Sequence, residues 1–145
     1  MNLDFSLRYA LPTDSNILFE WRNDWVTRRM SRNSKKIDWA EHKQWLKSSL
    51  DNPYRQLFIA EENGILVGTI RTDFFDNSYR LSWTVSPEFR DRGVGTRMVM
   101  LLMNRIKEPL EAEIKLENFA SIRIAEKCGM KLKYEKDGFL VYRRE

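Results

Sequence analysis

The sequence predicts an α/β fold of the mixed-sheet (α+β) type, a mostly antiparallel sheet of about seven strands flanked by helices, with one βαβ unit inside it. Two hairpins and one crossover carry that expectation. Asn63-Gly64 separates the apolar runs QLFIAE and ILVGTIRTDFF, and Lys136-Asp137-Gly138 joins KLKYE to FLVYR. Such turn residues supply the positive φ angles of a tight hairpin. Between the hairpins, residues 79 to 117 read as strand, helix, strand, which requires two parallel strands and a right-handed crossover.

The elements follow in order. FSLRY, residues 5 to 9, reads as the first strand. Thr13 or Asp14 can cap a helix that carries Ile17, Leu18 and Trp21 on one side and breaks near Asn23-Asp24. Asp38 and Glu41 have capping-box spacing and start a helix showing Trp39, Leu46 and Leu50 on one face. The first hairpin comes next, then a turn at Asp76-Asn77-Ser78. Tyr79, Leu81, Trp83 and Val85 alternate with Arg80, Ser82 and Thr84, so this strand has two unlike faces until Pro87 ends it. Met98, Leu101, Leu102 and Ile106 fall at helical spacing, with Glu108-Pro109 as the stop. EAEIKLE, 111 to 117, is a short strand, and Asn118 opens a helix that closes at Gly129.

The 145 residues suit a single domain, 1–145, with a core large enough to need no staples. Cys128 is the only cysteine, so no internal disulfide forms, and with one histidine no Cys/His metal site is expected. No apolar run approaches the roughly 20 residues that span a bilayer. The N-terminus lacks a basic and then apolar leader, so the expectation is a cytoplasmic protein without a membrane partner. The net charge of +4 comes from 25 basic residues interspersed with 21 acidic ones. That pattern admits a small phosphorylated ligand and gives no basic stripe or recognised motif for nucleic acid.

The segment RDRGVGTRM, 90 to 98, lies between strand and helix, beyond the C-terminal end of a parallel strand, where ligands of such sheets sit. Gly93 and Gly95 let main-chain N–H groups converge on an oxyanion, and the following helix adds its positive end. Arg90, Arg92 and Arg97 add charge, and Thr96 a hydroxyl. Met98 excludes the third glycine of a dinucleotide fingerprint, and Thr96-Arg97 excludes a Walker loop. A lone Gly-x-Gly serves a plain tight turn equally well.

Arg90-x-x-Gly93-x-Gly95 resembles the Arg/Gln-x-x-Gly-x-Gly/Ala pyrophosphate loop of the GNAT superfamily of acyl-CoA N-acyltransferases. Asn118-Phe119-Ala120-Ser121, leading to Lys127-Cys128-Gly129-Met130, resembles that superfamily's second segment, with Met130 where phenylalanine is usual. The order of elements agrees along almost the whole chain. The resemblance implies a GNAT-like sheet, acetyl-CoA as acyl donor and no metal. It implies that amides from Arg92 through Gly93, Val94 and Gly95 to Thr96 hold the CoA pyrophosphate. Backbone at Thr84 and Val85 then pairs with the pantetheine arm like an added strand. It also implies that Asn118 and Ser121 flank the thioester and that Arg123 or Lys127 can reach a phosphate. The plain roles are an N-cap for Asn118, an exposed first-turn site for Ser121 and solvated surface for the two cations.

Two departures bear on the chemistry. The strand before the loop offers no carboxylate, and Ala125 stands where the family's usual tyrosine acid falls. Neutralising an alkylamine of pKa about 10.4 near pH 7 costs about 4 to 5 kcal/mol. The missing base therefore favours an amine of already lowered pKa, such as an amino sugar. Ser121 is the group that would bond the leaving sulfur, directly or through water, as proposed for relatives that carry serine here and include the ribosomal-protein N-terminal acetyltransferases. His42 is a second acid–base candidate, although it also falls at a hydrophobic-staple position behind Asp38. Cys128 reads as packing, and Tyr134 and Tyr142 are spare proton donors without a spacing argument.

EWRND, 20 to 24, with Arg28-Arg29-Met30-Ser31, Ile37, His42 and Trp45, resembles amino-sugar-nucleotide N-acetyltransferases of the pseudaminic-acid type. On that resemblance Trp21, Arg22, Asn23, Arg29 and Ser82 bind the substrate, a small-molecule amine and in particular a nucleotide sugar. The tryptophans can equally be core and the arginines a solvated face. An acetyltransferase of protein N-termini is the nearest variant, a CoA-binding protein without catalysis is a further one, and a homodimer is kept open.

Overall fold

A computed structural model describes residues 4 to 145. The strands are β1 (Phe5–Tyr9), β2 (Arg55–Glu62), β3 (Ile65–Phe75), β4 (Ser78–Val85), β5 (Leu110–Lys115), β6 (Lys131–Lys136) and β7 (Phe139–Arg144). The helices are α1 (Ser15–Asn23), α2 (Trp25–Arg29), α3 (Trp39–Asp51), α4 (Val94–Met103) and α5 (Phe119–Lys127). All seven strands join in one mixed sheet, as the sequence predicts, and their order is β1-β2-β3-β4-β5-β7-β6. Tight turns at Asn63-Gly64, Asp76-Asn77 and Asp137-Gly138 have positive φ at both residues, which matches the right-handed twist of the strands they join.

Only β4 and β5 run parallel, and their ladder consists of Tyr79 opposite Leu110 and Arg80 opposite Glu111. Beyond Arg80 the two strands diverge. On its other side β4 stays paired with β3 as far as Val85 opposite Gly68. The edge of β4 from Trp83 to Val85 therefore faces a gap instead of a neighbouring strand.

The period-2 pattern sorts side chains to the two faces of the sheet. Leu57 and Ile59 of β2 meet Leu18 and Trp21 of α1 and Leu46 of α3 on one face. Phe58, Ile70 and Leu81 meet Met98, Val99 and Leu102 of α4 on the other. At roughly 25 cal/mol per Å² of apolar surface, these two layers supply the main drive to fold.

Several local features differ from the sequence reading. Asp14 precedes α1 but makes no side-chain cap. Its carboxylate instead takes a forked pair from Arg8, at 2.8 and 2.9 Å, and the Leu11 amide at 2.7 Å. A buried carboxylate with a guanidinium in reach does better in that pair than on one helix amide. The helix after the glycine turn ends at Met103, and Ile106 packs from the connecting loop. Trp39 is exposed, and α3 buries His42, Leu46 and Ser49. Asp38 does cap α3, accepting from the Glu41 amide at 2.8 Å. α5 closes with Gly129 N–H on Glu126 O and Met130 N–H on Ala125 O, and Met130 is buried.

Candidate active site

The glycine turn opens α4. Asp91 and Gly93 both have positive φ, 62° and 78°, which curls the chain so that the first amides of the helix face one side. The intrahelical ladder starts with Arg97 N–H donating to Gly93 O, so Val94, Gly95 and Thr96 are the first-turn donors left over for a ligand. Gly93 is glycine for its backbone angle, since a Cβ there meets nothing within 4 Å. Gly95 is glycine for packing: a Cβ would collide with Cδ1 of Ile124 on α5 and touch Val85. That close approach sets α5 against α4 beside the loop.

A cavity of about 510 Å³ runs along these elements, lined by Thr84, Val85, the Gly93–Thr96 turn, Asn118, Ser121 and Lys127. A second cavity, of about 570 Å³, lies against the polar face of β3 and β4 and includes Arg22, Trp45, Thr69, Arg71 and Ser82. Both are of a size suited to small molecules. The two share Trp83, Thr84, Asn118 and Ser121 in their walls, together with Thr27, Met30 and Ser31 from the α2 region.

At this junction Asn118 caps α5 by accepting the Ser121 amide at 3.2 Å. With Oδ1 on the cap, its Nδ2 donor is what Asn118 can offer the cleft. Ser121 presents its hydroxyl from the first turn of the same helix, half-buried. Arg123 also lines the first cavity and is exposed, as is Lys127.

Other expected site residues are placed elsewhere. His42 is 0% exposed and packs among Phe19, Trp39 and Trp45. Its Nε2 bonds Ser15 O at 2.9 Å, and since a carbonyl only accepts, that nitrogen carries the proton. Burial pushes its pKa down, the Ser15 bond opposes this, and the Arg22 charge lowers it further. His42 lines neither cavity, which corrects its assignment to proton transfer. Trp21 is 3% exposed in the core beside Leu18, because α1 turns its apolar side to the sheet. Asn23 clamps the chain at Ile37 with a bond each way, both 2.9 Å, so it shapes the 31–37 loop instead of meeting a ligand. Arg29 is exposed outside both cavities, while Arg28 donates to the Asn23 and Ser34 carbonyls.

The loop arginines are committed too. Arg90 pairs with Asp24, Arg97 with Glu62 at 2.6 Å, and exposed Arg92 lies over the Phe89 ring. Arg90 and Arg97 are thus held by carboxylates, which leaves the amides of the turn, with exposed Arg92 beside them, as its donor set. Cys128 is buried, as read, and its thiol pKa is raised by that burial. Tyr142 is buried and donates to Glu126, and Tyr134 is exposed on β6; neither lines the junction.

Sequence reasoning missed the floor of the second cavity. Thr69 and Arg71 face it from β3, opposite Thr84 and Ser82 of β4. Their alternation with Gly68, Ile70 and Thr72 was the available signal. Glu41 and Glu113 also line it, whereas no carboxylate was expected from β4 alone.

The mixed sheet is split at its one parallel pair, with the glycine turn and its free amides on one side and a polar chamber on the other, an arrangement common to ligand-binding α/β sheets. The sequence profile described as Acetyltransferase (GNAT) domain matches residues 5–131, and the chain belongs to this family of acetyltransferases. No curated protein matches it in sequence. Among solved structures, yncA of Salmonella typhimurium, determined with acetyl-CoA, is 20% identical with a TM-score of 0.80, covering 98% of this chain and 94% of that one. The ribosomal-protein-alanine N-acetyltransferase of Brucella melitensis is 24% identical with a TM-score of 0.80, covering 96% and 98%. The aminoglycoside acetyltransferase AAC(6')-Ib, determined with coenzyme A, is 20% identical with a TM-score of 0.82, covering 97% and 93%. At these identities the likeness is one of fold. Among the described residues no group of His, Cys, Asp and Glu side chains is disposed to hold a metal, and no helix is long and apolar enough to cross a membrane.

Proposed function

We propose that the protein transfers an acetyl group from acetyl-CoA to the primary amine of a nucleotide-linked amino sugar. The observation that carries this reading is the meeting of two cavities at Thr84, Asn118 and Ser121. Fold neighbours determined with acetyl-CoA or coenzyme A support the donor. So does the fit of the first cavity. Val94, Gly95 and Thr96 offer amides to a pyrophosphate, and the free edge of β4 offers main-chain groups to an extended amide-bearing arm.

When bound, the donor supplies a thioester, whose carbonyl is attacked by a neutral amine. Asn118 Nδ2 and the Ser121 hydroxyl are the donors that α5 brings to the junction, beside the hydroxyls of Thr84, Thr27 and Ser31. Ser121 hydrogen-bonds the departing sulfur and relays to it a proton that its hydroxyl regains from solvent water, so the thiol leaves and the serine is unchanged, while Asn118 orients the acyl end. The acceptor nitrogen must shed a proton. Glu113 is paired with Arg32 at 2.7 Å, and also faces Arg80. Glu41 is the chamber's other acid, its pKa raised by the hydrogen-bonded Asp38 carboxyl, and with Glu113 tied to two arginines it is the base in this reading. An amine of lowered pKa, as in an amino sugar, needs no stronger one.

The experiment is a thiol-release screen with acetyl-CoA across UDP-amino sugars, free amino sugars, aminoglycosides and peptides with free N-termini. Turnover highest on a UDP-amino sugar is the expected result. Preference for peptide N-termini would transfer the protein to the neighbouring activity, and release with none of these amines would leave the reading without support.

A further inference from the structure

We propose that Arg22 and Arg71 form an oxyanion subsite in the second cavity, so that the acceptor amine carries a phosphate or carboxylate group bound there. The inference rests on taking that cavity as the acceptor's chamber. It adds the group recognised and the residues that recognise it.

Arg22 projects from the last turn of α1 and stacks on Trp45, its guanidinium carbon 4.4 Å from the ring centre. Stacking fixes the plane of the cation and leaves its edge donors for an acceptor. Its Nη1 is buried and has no hydrogen-bond acceptor. Arg71 lines the same chamber from β3. Its Nε donates to Asp73 at 3.0 Å, and its Nη2 reaches only the Ser82 hydroxyl, at 3.5 Å. Asp73 also holds Arg55, at 2.6 Å, so one carboxylate serves Arg55 and Arg71 while Arg22 pairs with none among the described residues.

The other arginines of the wall are matched: Arg80 lies 2.7 Å from Glu111, and Arg32 the same distance from Glu113. Arg22 feels the favourable charge of Glu41 but makes no hydrogen bond or ion pair with it, and feels the opposing charge of Arg71 more strongly. Burial lowers the pKa of both Arg22 and Arg71. Two like charges withdrawn from water against one shared carboxylate are unfavourable in the free protein, and an oxyanion between them relieves that. Lys35 and Lys36 line the same chamber and add an attractive field for such a ligand. The same field repels polycations, which sets this chamber apart from one built for aminoglycosides.

The test is calorimetric titration with inorganic phosphate and, separately, with acetate, on the protein alone and on the protein with CoA. Wild type is expected to bind at least one anion in both states, and the preferred one tells phosphate from carboxylate. In R22M that affinity falls at least about tenfold, while the melting temperature without ligand holds or rises. R22K keeps the charge without the planar fork and weakens binding by about three- to tenfold, which covers any folding fault of R22M. Equal anion affinity in wild type and both variants, or no binding by wild type, overturns the subsite. Failure of CoA to bind in the same instrument overturns the transferase reading instead, and leaves the comparison of R22M with wild type intact.

Discussion

Arg90 and Asp24 join two elements that sequence distance keeps apart: the guanidinium opening the glycine turn binds the carboxylate that caps α2. Asp24 also accepts the Thr27 amide at 3.1 Å and its hydroxyl at 3.3 Å. Burial alone would raise the Asp24 pKa, but the Arg90 and Thr27 bonds outweigh it and hold the carboxyl below its ordinary value. The residue that opens the family's phosphate loop is thereby a brace between the loop and α2, whose Val26 and Thr27 line the same cleft.

A brace acts as a unit, so its two halves should not add. Asp24→Asn and Arg90→Met are each expected to weaken CoA binding, and the double variant to be little worse than either. The coupling in a four-protein cycle of calorimetric CoA affinities is expected at about 0.5 to 3 kcal/mol. Additive losses would show that Arg90 acts on the ligand by itself.

The two glycines of the turn should fail for different reasons. Gly93→Ala forces a Cβ onto a left-handed angle and is expected to cost about 1 kcal/mol of stability, with no steric partner to relieve it. Gly95→Ala meets Ile124 Cδ1, an atom that Ile124→Val removes. The pair Gly95→Ala with Ile124→Val is therefore expected to recover much of the melting temperature and CoA affinity that Gly95→Ala loses. No recovery would mean that the glycine is needed by the ligand and not by α5.

Ser121→Ala is expected to lower kcat of thiol release by about ten- to a hundredfold and to leave CoA affinity within a factor of about two. Its backbone amide, which the Asn118 cap uses, is untouched. Unchanged kcat would remove the hydroxyl from the reaction.

His42 links stability to pH. Its folded pKa lies below the ordinary 6.5, chiefly through burial. Above that value both folded and unfolded states hold it neutral. As pH falls through about 6.5 the unfolded chain takes up a proton first, so stability drops from there down to the folded pKa. Melting temperatures measured from pH 7.5 to 5 are expected to fall less in His42→Phe than in wild type. The pH dependence of kcat should be the same in both, because the imidazole lines neither chamber.

The fold was open to reading where local chemistry is strong. Asn63-Gly64 and Asp137-Gly138 name their own turns, and the alternation from Tyr79 to Val85 names the strand beside the cleft. α2 was not foreseen, because five residues are too short to show a 3.6 period. The end of α4 was misplaced for another reason: Pro109 forbids helix but cannot say how far upstream the helix has already stopped. In the site, the glycine turn and the Asn118–Ser121 segment were legible because each lies on contiguous residues. Arg71 and Thr69 were not, since only strand pairing brings them opposite Ser82 and Thr84. Trp21 and Asn23 share a motif with Arg22, yet three consecutive helical positions point about 100° apart, and Arg22 is the one that lines the second cavity.

The divergence of β4 and β5 beyond Arg80 makes a window through the sheet. On the proposed function one substrate approaches it along the α4 face and the other along the α1 and α3 face, so neither blocks the other's route in or out. That reading has both resident at once, with the acyl group crossing directly between them without being parked on the protein. Initial-rate plots at several fixed acceptor concentrations should then intersect, not run parallel.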